Sequence, residues 1–334
     1  MRTCRIILLL LLLGLTGILI ILPYLPADVA GYLYPVSLGA LPLIVADIIC
    51  LFAVRKQKGW RAAFLLFLIG SLVWLRHYIP NPFSRVGVSE NTLTLVSWNV
   101  NLFGGGFQNY SNLAPAAALI KEQHPDIICL QERPHTNVMH WDSIRAAFSD
   151  YPYYVKNTRE DEVLNLVVFS RYPLSNPEDH YFEDTYNKFM QVDVQIGGQT
   201  LRLFNVHLQT TGIGEDNNLI INAKKRNYQA KELEQCILSS PHPTIVCGDF
   251  NDTRSSYAYR TIVKHLKDCA EGVARWQGTF QPAASLLKID HILCSKELKL
   301  QNYEVVSNQI SDHKLQVTNI KLSNSPSMIE RVTP

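Results

Sequence analysis

A set of polar residues stands at the ends of apolar runs, and their types suit one hydrolytic centre. Asn99 closes LTLVSWN, Glu132 closes DIICLQE, and His207 closes LFNVH. Asp249 and Asn251 end TIVCGDFN, Asp290 interrupts KIDHIL, and Asp312 with His313 introduces the last apolar run. A polar side chain that terminates an apolar strand lies at the rim of a sheet. Repeated at Asp, Glu, Asn and His, the pattern implies a single site assembled along one sheet edge. The oxygens of Asn99, Glu132 and either Asp290 or Asp312 suit a hard cation, Mg²⁺ or Mn²⁺. His207 and His313 can donate to phosphoryl oxygens or to a leaving group, and a neighbouring carboxylate would raise their pKa and fix their orientation. Asp249 can orient or deprotonate an attacking water. No nucleophile elbow, P-loop or dinucleotide loop competes, so the chemistry expected is metal-assisted hydrolysis of a phosphate ester.

These residues need strands to carry them. From residue 92 the chain alternates short β-rich runs with helical or turn-rich stretches. The expected strands are LTLVSWNV, DIICLQE, NLVVFS, FMQVDVQI, LRLFNVHL, TIVCGDF, KIDHILC and KLQVTNI. Gly197 and Gly198, between two alternating runs, mark a hairpin. Helices are expected over 113–123, 140–148, 223–239 and 256–265. Many strands with interspersed helices predict an α/β (α+β) fold, two packed β-sheets flanked by helices in a four-layer sandwich. Trp98 and Phe250, beside motif residues, are expected to pack beneath the site, and His291 to be structural. The FGGGF stretch at 103–107 lacks the helix start and Lys of a phosphate cradle and is expected to be a loop near the site.

The ordered set SWNVN, LQE, SRYPL, NVHL, GDFN, IDHI and SDH resembles the endonuclease/exonuclease/phosphatase superfamily over about residues 93–320. The resemblance implies that Asn99 and Glu132 bind a divalent metal, with Glu132 the principal ligand and Asp312 beside the site. It implies that Asp249 activates water and that Asn251 holds the water or a phosphoryl oxygen. His207 and His313 would stabilise charge on phosphate or assist the leaving group; Asp290 would support a catalytic His or the metal, and Asp312 would orient His313. Relatives often carry Arg before the Ile-Asp pair where this chain has Lys288, which keeps the charge but loses a planar two-pronged grip on phosphate. Tyr181, Tyr186, Lys188 and Thr279 are further candidates for substrate contact.

The front of the chain is a different material. Residues 6–27 carry no charge and qualify as a membrane span, with Arg2 and Arg5 preceding them. Residues 29–54 and 60–79 are second and third candidates, Asp47 being expected near an interface. Residues 81–91 read as a linker, 92–322 as the catalytic domain and 323–334 as a flexible tail. Basic residues before the first span and around 55–61 predict a cytoplasmic N-terminus, a multi-pass membrane location and, with three spans, an extracytoplasmic catalytic domain. After residue 90 the chain holds 23 Lys+Arg against 26 Asp+Glu, a net of −3. That charge is poor for gripping long nucleic acid. The expectation is therefore a membrane-anchored phosphate-ester hydrolase whose partners are the bilayer and a lipid-headgroup, small-phosphoester or nucleic-acid substrate, with no obligate protein partner. An extracytoplasmic endonuclease acting on DNA or RNA is the alternative, and a catalytically silent tethered binding protein the alternative of another class. The seven cysteines show no zinc or disulfide spacing, and Cys129, Cys247 and Cys294 lie in apolar runs as small buried hydrophobes.

Overall fold

A computed structural model of the chain describes residues 2–75, 92–104, 112–160, 164–183, 185–212, 218–271, 278–282 and 286–322. The expected linker and tail, and Gly105 and Gly106 of the glycine stretch, lie outside them.

Two six-stranded sheets carry the body. The first contains, from edge to edge, β11 (Lys299–Val306), β12 (Leu315–Lys321), β1 (Thr92–Asn99), β2 (Ile127–Arg133), β4 (Asn165–Ser170) and β3 (Tyr153–Lys156). The second contains β5 (Leu174–Tyr181), β6 (Lys188–Ile196), β7 (Gln199–His207), β8 (Thr244–Asp249), β10 (Asp290–Ser295) and β9 (Leu266–Asp268). Each sheet holds one parallel pair, β1 with β2 and β7 with β8, between antiparallel neighbours. The hairpin joining β6 to β7 turns at Gly197 and Gly198, both at positive φ, as a two-residue turn matched to strand twist requires.

Alternation along the strands explains the layers. Leu93, Leu95, Ile127 and Cys129 from the first sheet meet Leu201, Leu203, Ile245, Cys247, Ile292 and Cys294 from the second. The opposite face of the first sheet, through Val96, Trp98, Ile128 and Leu130, packs on α7 (Leu113–Lys121) and α8 (Trp141–Ala147). The outer face of the second, through Phe204, Val206 and Val246, packs on α9 (Leu219–Leu238) and α10 (Tyr257–Val263). The result is helices, sheet, sheet, helices, as expected from the sequence.

Ahead of the body lie α1 (Arg2–Ile21), α2 (Ala27–Tyr32), α3 (Tyr34–Leu38), α4 (Ala40–Ala53) and α5 (Lys58–Leu75). Among the described residues, Thr3–Tyr24 is the one helical stretch long and apolar enough to cross a membrane, and Ala40–Ala53 is a shorter apolar helix. Residues 29–54, read from the sequence as one span, form no single helix. Pro35 opens α3 and Gly39 closes it, so the chain breaks into two short helices before α4 begins. Asp47 is buried against α1, where Thr16 Oγ1 donates to its carboxylate at 2.7 Å.

Candidate active site

The same alternation that builds the inter-sheet core places the polar residues. On β1 the inward series runs Leu93, Leu95, Ser97, Asn99; on β7 it runs Leu201, Leu203, Asn205, His207; on β8 it runs Ile245, Cys247, Asp249. Each strand is apolar through the middle of the sandwich and turns polar at one end. The carboxyl ends of both parallel pairs thus converge on one end of the inter-sheet layer, the position where parallel strands of a sheet present ligand sites. Antiparallel β10 contributes from its first residue, since Asp290 lies opposite Asp249 in the ladder.

Three backbone departures shape this end. Glu132 sits at φ +54°, where the β2–β4 ladder slips between Leu130 and Arg133. Asn251 sits at φ +52°, and the segment Asn101–Gly104 (α6) is a left-handed turn immediately after β1. Such conformations are costly for residues with a Cβ and persist where the surroundings enforce them. Gly248 at φ +137° is one position that only glycine fits, because a Cβ there would fall on the Val206 backbone of the neighbouring strand.

The side chains form two linked clusters that share Asp249. In the first, Asn99 Nδ2 donates to Glu132 Oε1 at 2.8 Å and to Asp249 Oδ2 at 3.0 Å. His207 Nε2 lies 3.3 Å from Glu132 Oε1 and 3.5 Å from Asp249 Oδ2. In the second, the Asp290 carboxylate brackets His313 Nδ1 at 2.9 and 3.0 Å, leaving His313 Nε2 3.7 Å from Asp249 Oδ2. Asn251 donates its backbone N–H to Asp249 Oδ1 at 2.7 Å and its amide to the Leu208 carbonyl at 3.0 Å, which holds it beside His207. Asp312 accepts from Asn101 Nδ2 at 2.8 Å and lines the cleft rather than touching the His313 ring.

Electrostatics follow from this packing. Burial alone would push Asp249 up, but the His313 and His207 imidazoles and the Asn251 N–H hold it down at about 2. Burial alone would push both histidines down. The carboxylates win: Asp249 and Glu132 raise His207 to about 9, and Asp290 with Asp249 raises His313 to about 10. The centre at neutral pH is therefore a buried carboxylate flanked by two imidazolium groups. A cleft of about 820 Å³ opens onto it, reaching Glu132, His207, Asp249, Asn251, Asp312 and His313.

The sequence-derived candidates come together with the roles of some neighbours altered. Lys288 does not face the cleft; its ammonium is buried on the Asp290 carbonyl at 2.8 Å and Gln316 Oε1 at 3.1 Å, and burial pushes it down to about 7. Thr279 is fully buried, and its hydroxyl accepts the N–H groups of Ile289 and Asp290 at 3.1 Å, fixing the start of β10. Of the tyrosines considered, Tyr186 lines the cleft, whereas the Tyr181 hydroxyl accepts from the Arg159 N–H at 2.7 Å. His291 is structural, buried with Nε2 2.9 Å from the Asp252 carbonyl, and Trp98 donates to the His313 carbonyl at 3.0 Å from beneath the site. Sequence reading missed Gln131 and Asn205. Gln131 Nε2 donates to Asn205 Oδ1 at 2.6 Å, and Asn205 Nδ2 donates to the carbonyls of Leu130 and Val167. This buried amide bridge ties the two sheets together one step below the clusters. Its signal was present: each residue is polar at an inward position otherwise filled by aliphatic side chains.

Comparison with known proteins places the chain. The endonuclease/exonuclease/phosphatase family matches residues 96–313, more than half of the sequence. No curated protein matches. Among solved structures, an endonuclease/exonuclease/phosphatase from Bacteroides vulgatus superposes with a TM-score of 0.57 at 20% identity, covering 70% of this chain and 100% of that one. D. rerio TDP2 complexed with single strand DNA product gives 0.57 at 18% identity, with 69% and 99% covered. The human Nocturnin catalytic domain with bound sulfate anion gives 0.53 at 16%, with 72% and 99% covered. At these identities the likeness is one of fold, and each relative is spanned nearly whole by the body that follows the amino-terminal helices. With its two-sheet sandwich and the polar strand ends it assembles, the chain belongs to the endonuclease/exonuclease/phosphatase family.

Proposed function

We propose that this protein is a membrane-anchored, divalent-metal-dependent hydrolase of phosphate esters. One observation carries the reading: Asp249 sits between two imidazoles at the floor of an open cleft, with a second carboxylate, Glu132, 3.3 Å from one of them.

The donor set fits a divalent cation. The Glu132 and Asp249 carboxylates lie with His207 in a cluster whose donor atoms fall within 4.8 Å of one another, the carboxylates being the ligands and the imidazolium a charge partner beside them. Glu132 is the more open of these acids, 22% exposed against 1% for Asp249. Glu132 would be the principal ligand, with Asn99 beside it and Asp312 across the cleft. A cation there would draw charge from a phosphoryl oxygen and lower the cost of attack. The chain's own groups do the rest. The Asp249 carboxylate, ionised throughout the neutral range, aligns a water by accepting its hydrogen bond, while Asn251 restricts where that water or a phosphoryl oxygen can lie. His313, held by Asp290, presents Nε2–H to a phosphoryl or leaving-group oxygen, and positively charged His207 offsets the negative charge gathered on phosphate.

Anchoring is supported by α1, a 20-residue, mostly apolar helix about 30 Å long at 1.5 Å per residue, the thickness of a bilayer core. Arg2 and Arg5 at one end, with Arg55 and Lys56 between α4 and α5 and Lys58 opening α5, favour a cytoplasmic N-terminus and a catalytic domain on the other side. A nuclease is the second reading, favoured by the fold shared with the TDP2 complex and disfavoured by the net charge of −3 after residue 90.

The test uses the full chain in detergent with bis(p-nitrophenyl) phosphate, with Mg²⁺ or Mn²⁺ and with chelator. Metal-dependent turnover that falls at least ~10²-fold in Asp249→Asn and Glu132→Gln is expected, the scale of a lost positioned acid–base group. Chelator-resistant turnover, or near-normal rates in both variants, would sink the mechanism.

A further inference from the structure

The geometry points to a lipid-borne phosphate ester as the substrate, taken at the membrane surface by a cleft whose wall is built by the amino-terminal helices. The inference rests on the hydrolase reading above and on α1 lying in the bilayer.

The segment between α1 and α4 is docked on the catalytic domain, not left as a connecting loop. Asn227 Nδ2 donates to the Ala27 carbonyl at 2.8 Å, and the Tyr228 hydroxyl donates to Asp28 Oδ2 at 2.6 Å. A Cβ on Gly31 would collide with Lys224, so α2 lies directly on α9. Ser255 Oγ donates to the Ser37 carbonyl at 2.7 Å. The Tyr34 ring lies 4.8 Å over the Arg226 guanidinium, and Arg226 in turn donates to Asp252 Oδ2 at 2.7 Å and to the Gln209 carbonyl at 2.9 Å. Those two partners belong to the loops that follow Asp249 and His207. From this docked position Tyr34 and Leu38 line the cleft that holds Glu132, Asp249 and His313.

Placement relative to a bilayer follows from chain length and exposure. Leu8, Leu11, Ile49, Phe52 and Leu66 are each at least 60% exposed, so α1, α4 and α5 turn an apolar surface outward. α1 spans a hydrocarbon core and delivers Leu22–Tyr24 to its boundary, and α4 re-enters at Ala40, two residues after Leu38. The wall of the cleft therefore lies at headgroup depth. Apolar side chains continue from that wall around the cleft through Leu164, Tyr186, Phe280 and Leu287. A site with ionisable groups at its floor and, among polar side chains such as Asn187, Gln209 and Asn222, an apolar stretch of wall set beside a bilayer fits a phosphate whose ester partner remains partly in the membrane. It does not fit a polyanion, which the net charge of −3 after residue 90 would repel.

The experiment uses the full chain, because removal of the helices would strip Tyr34 from buried Arg226. It is reconstituted in phosphatidylcholine vesicles with Mn²⁺, and turnover is measured on phosphatidylglycerol in those vesicles and on deacylated glycerophosphoglycerol. Single-stranded DNA, RNA and bis(p-nitrophenyl) phosphate are run alongside. The expected kcat/KM for the bilayer lipid exceeds that for its deacylated form by roughly 100-fold, equivalent to about three to four methylenes kept out of water. Leu38→Glu and Tyr34→Ala are expected to lower lipid turnover roughly 10-fold more than turnover of the small diester, the scale of one apolar pocket contact. Turnover of the small diester with no lipid advantage, or with DNA or RNA preferred, would overturn the lipid assignment and leave the hydrolase reading intact. Equal fractional losses on both substrates would overturn the role of the wall. Silence on the small diester as well would instead defeat the hydrolase reading, and this inference with it.

Discussion

Replacing Arg226 with methionine tests how the amino-terminal helices, the catalytic loops and the core depend on one another. The guanidinium is fully buried, 2.7 Å from an Asp252 carboxylate that is itself 1% exposed. Breaking one side of such a pair strands the other charge in the interior, which costs about 3–5 kcal/mol. The lost hydrogen bond to the Gln209 carbonyl, about 1 kcal/mol, and the lost Tyr34 stacking act in the same direction. For a body of this size each kcal/mol lowers the melting temperature by about 2–4 °C, so a loss of about 4–6 kcal/mol gives an expected fall of roughly 8–24 °C. Thermal unfolding of the full chain in detergent, followed by tryptophan fluorescence, measures it. Asp252→Asn combined with Arg226→Met removes the stranded charge and is expected to recover at least half of the loss. A fall below about 2 °C in the single variant, or a double variant no better than the sum of its parts, would refute the reasoning.

Three other expectations follow from individual contacts. Asp290→Asn removes the carboxylate that helps raise His313 to about 10; the imidazolium stabilises below its unfolded value and that contribution is lost as pH rises through about 10. The alkaline limb of the pH–rate profile should therefore move toward neutrality, and an unmoved limb would show that His313 does not set it. Glu160 accepts from Arg133, Lys156 and Thr136, and despite its burial these hold it down at about 2, so its contribution is present above its unfolded value and lost as pH falls toward 2. Glu160→Gln should flatten the acid limb of an unfolding titration, and an unchanged limb would exclude it. Gly248→Ala forces a Cβ onto the Val206 backbone and should abolish soluble expression or cost more than about 3 kcal/mol, which a near-native melting curve would contradict.

The eight strands read from the sequence are the interior strands of the two sheets, and the four that were missed, β3, β5, β9 and β11, are the four edges. Interior strands are buried on both faces and spell continuous apolar runs. Edge strands such as LSNPEDHY, with Pro177 and a largely exposed face, carry too little alternation to be distinguished from loops. The site was legible for a related reason: Asn99, Glu132, His207, Asp249 and Asp290 each mark the end of a readable strand. Lys288 was misplaced because sequence cannot show that Asp290 turns its carboxylate to the His313 ring while Lys288 turns into the core. The docking of residues 27–38 was hidden in a stretch that reads mostly as the start of an apolar span, since Tyr34 meets Arg226 across almost two hundred residues of chain.

The strand order has a consequence for the time at which activity arises. β12, the last of the described strands in chain order, pairs with β1 near the middle of the first sheet, and His313 stands two residues before it. Until that strand inserts, the first sheet lacks an interior member, Asp290 has no imidazole to hold, and Trp98 has no carbonyl to meet. A chain made only as far as β10 can fold the second sheet while it is still without a complete set of site groups. Closing a strand pair separated by more than two hundred residues is entropically slow. The site is thus expected to stay incomplete until β12 has been made and inserted, and to come together in one late step.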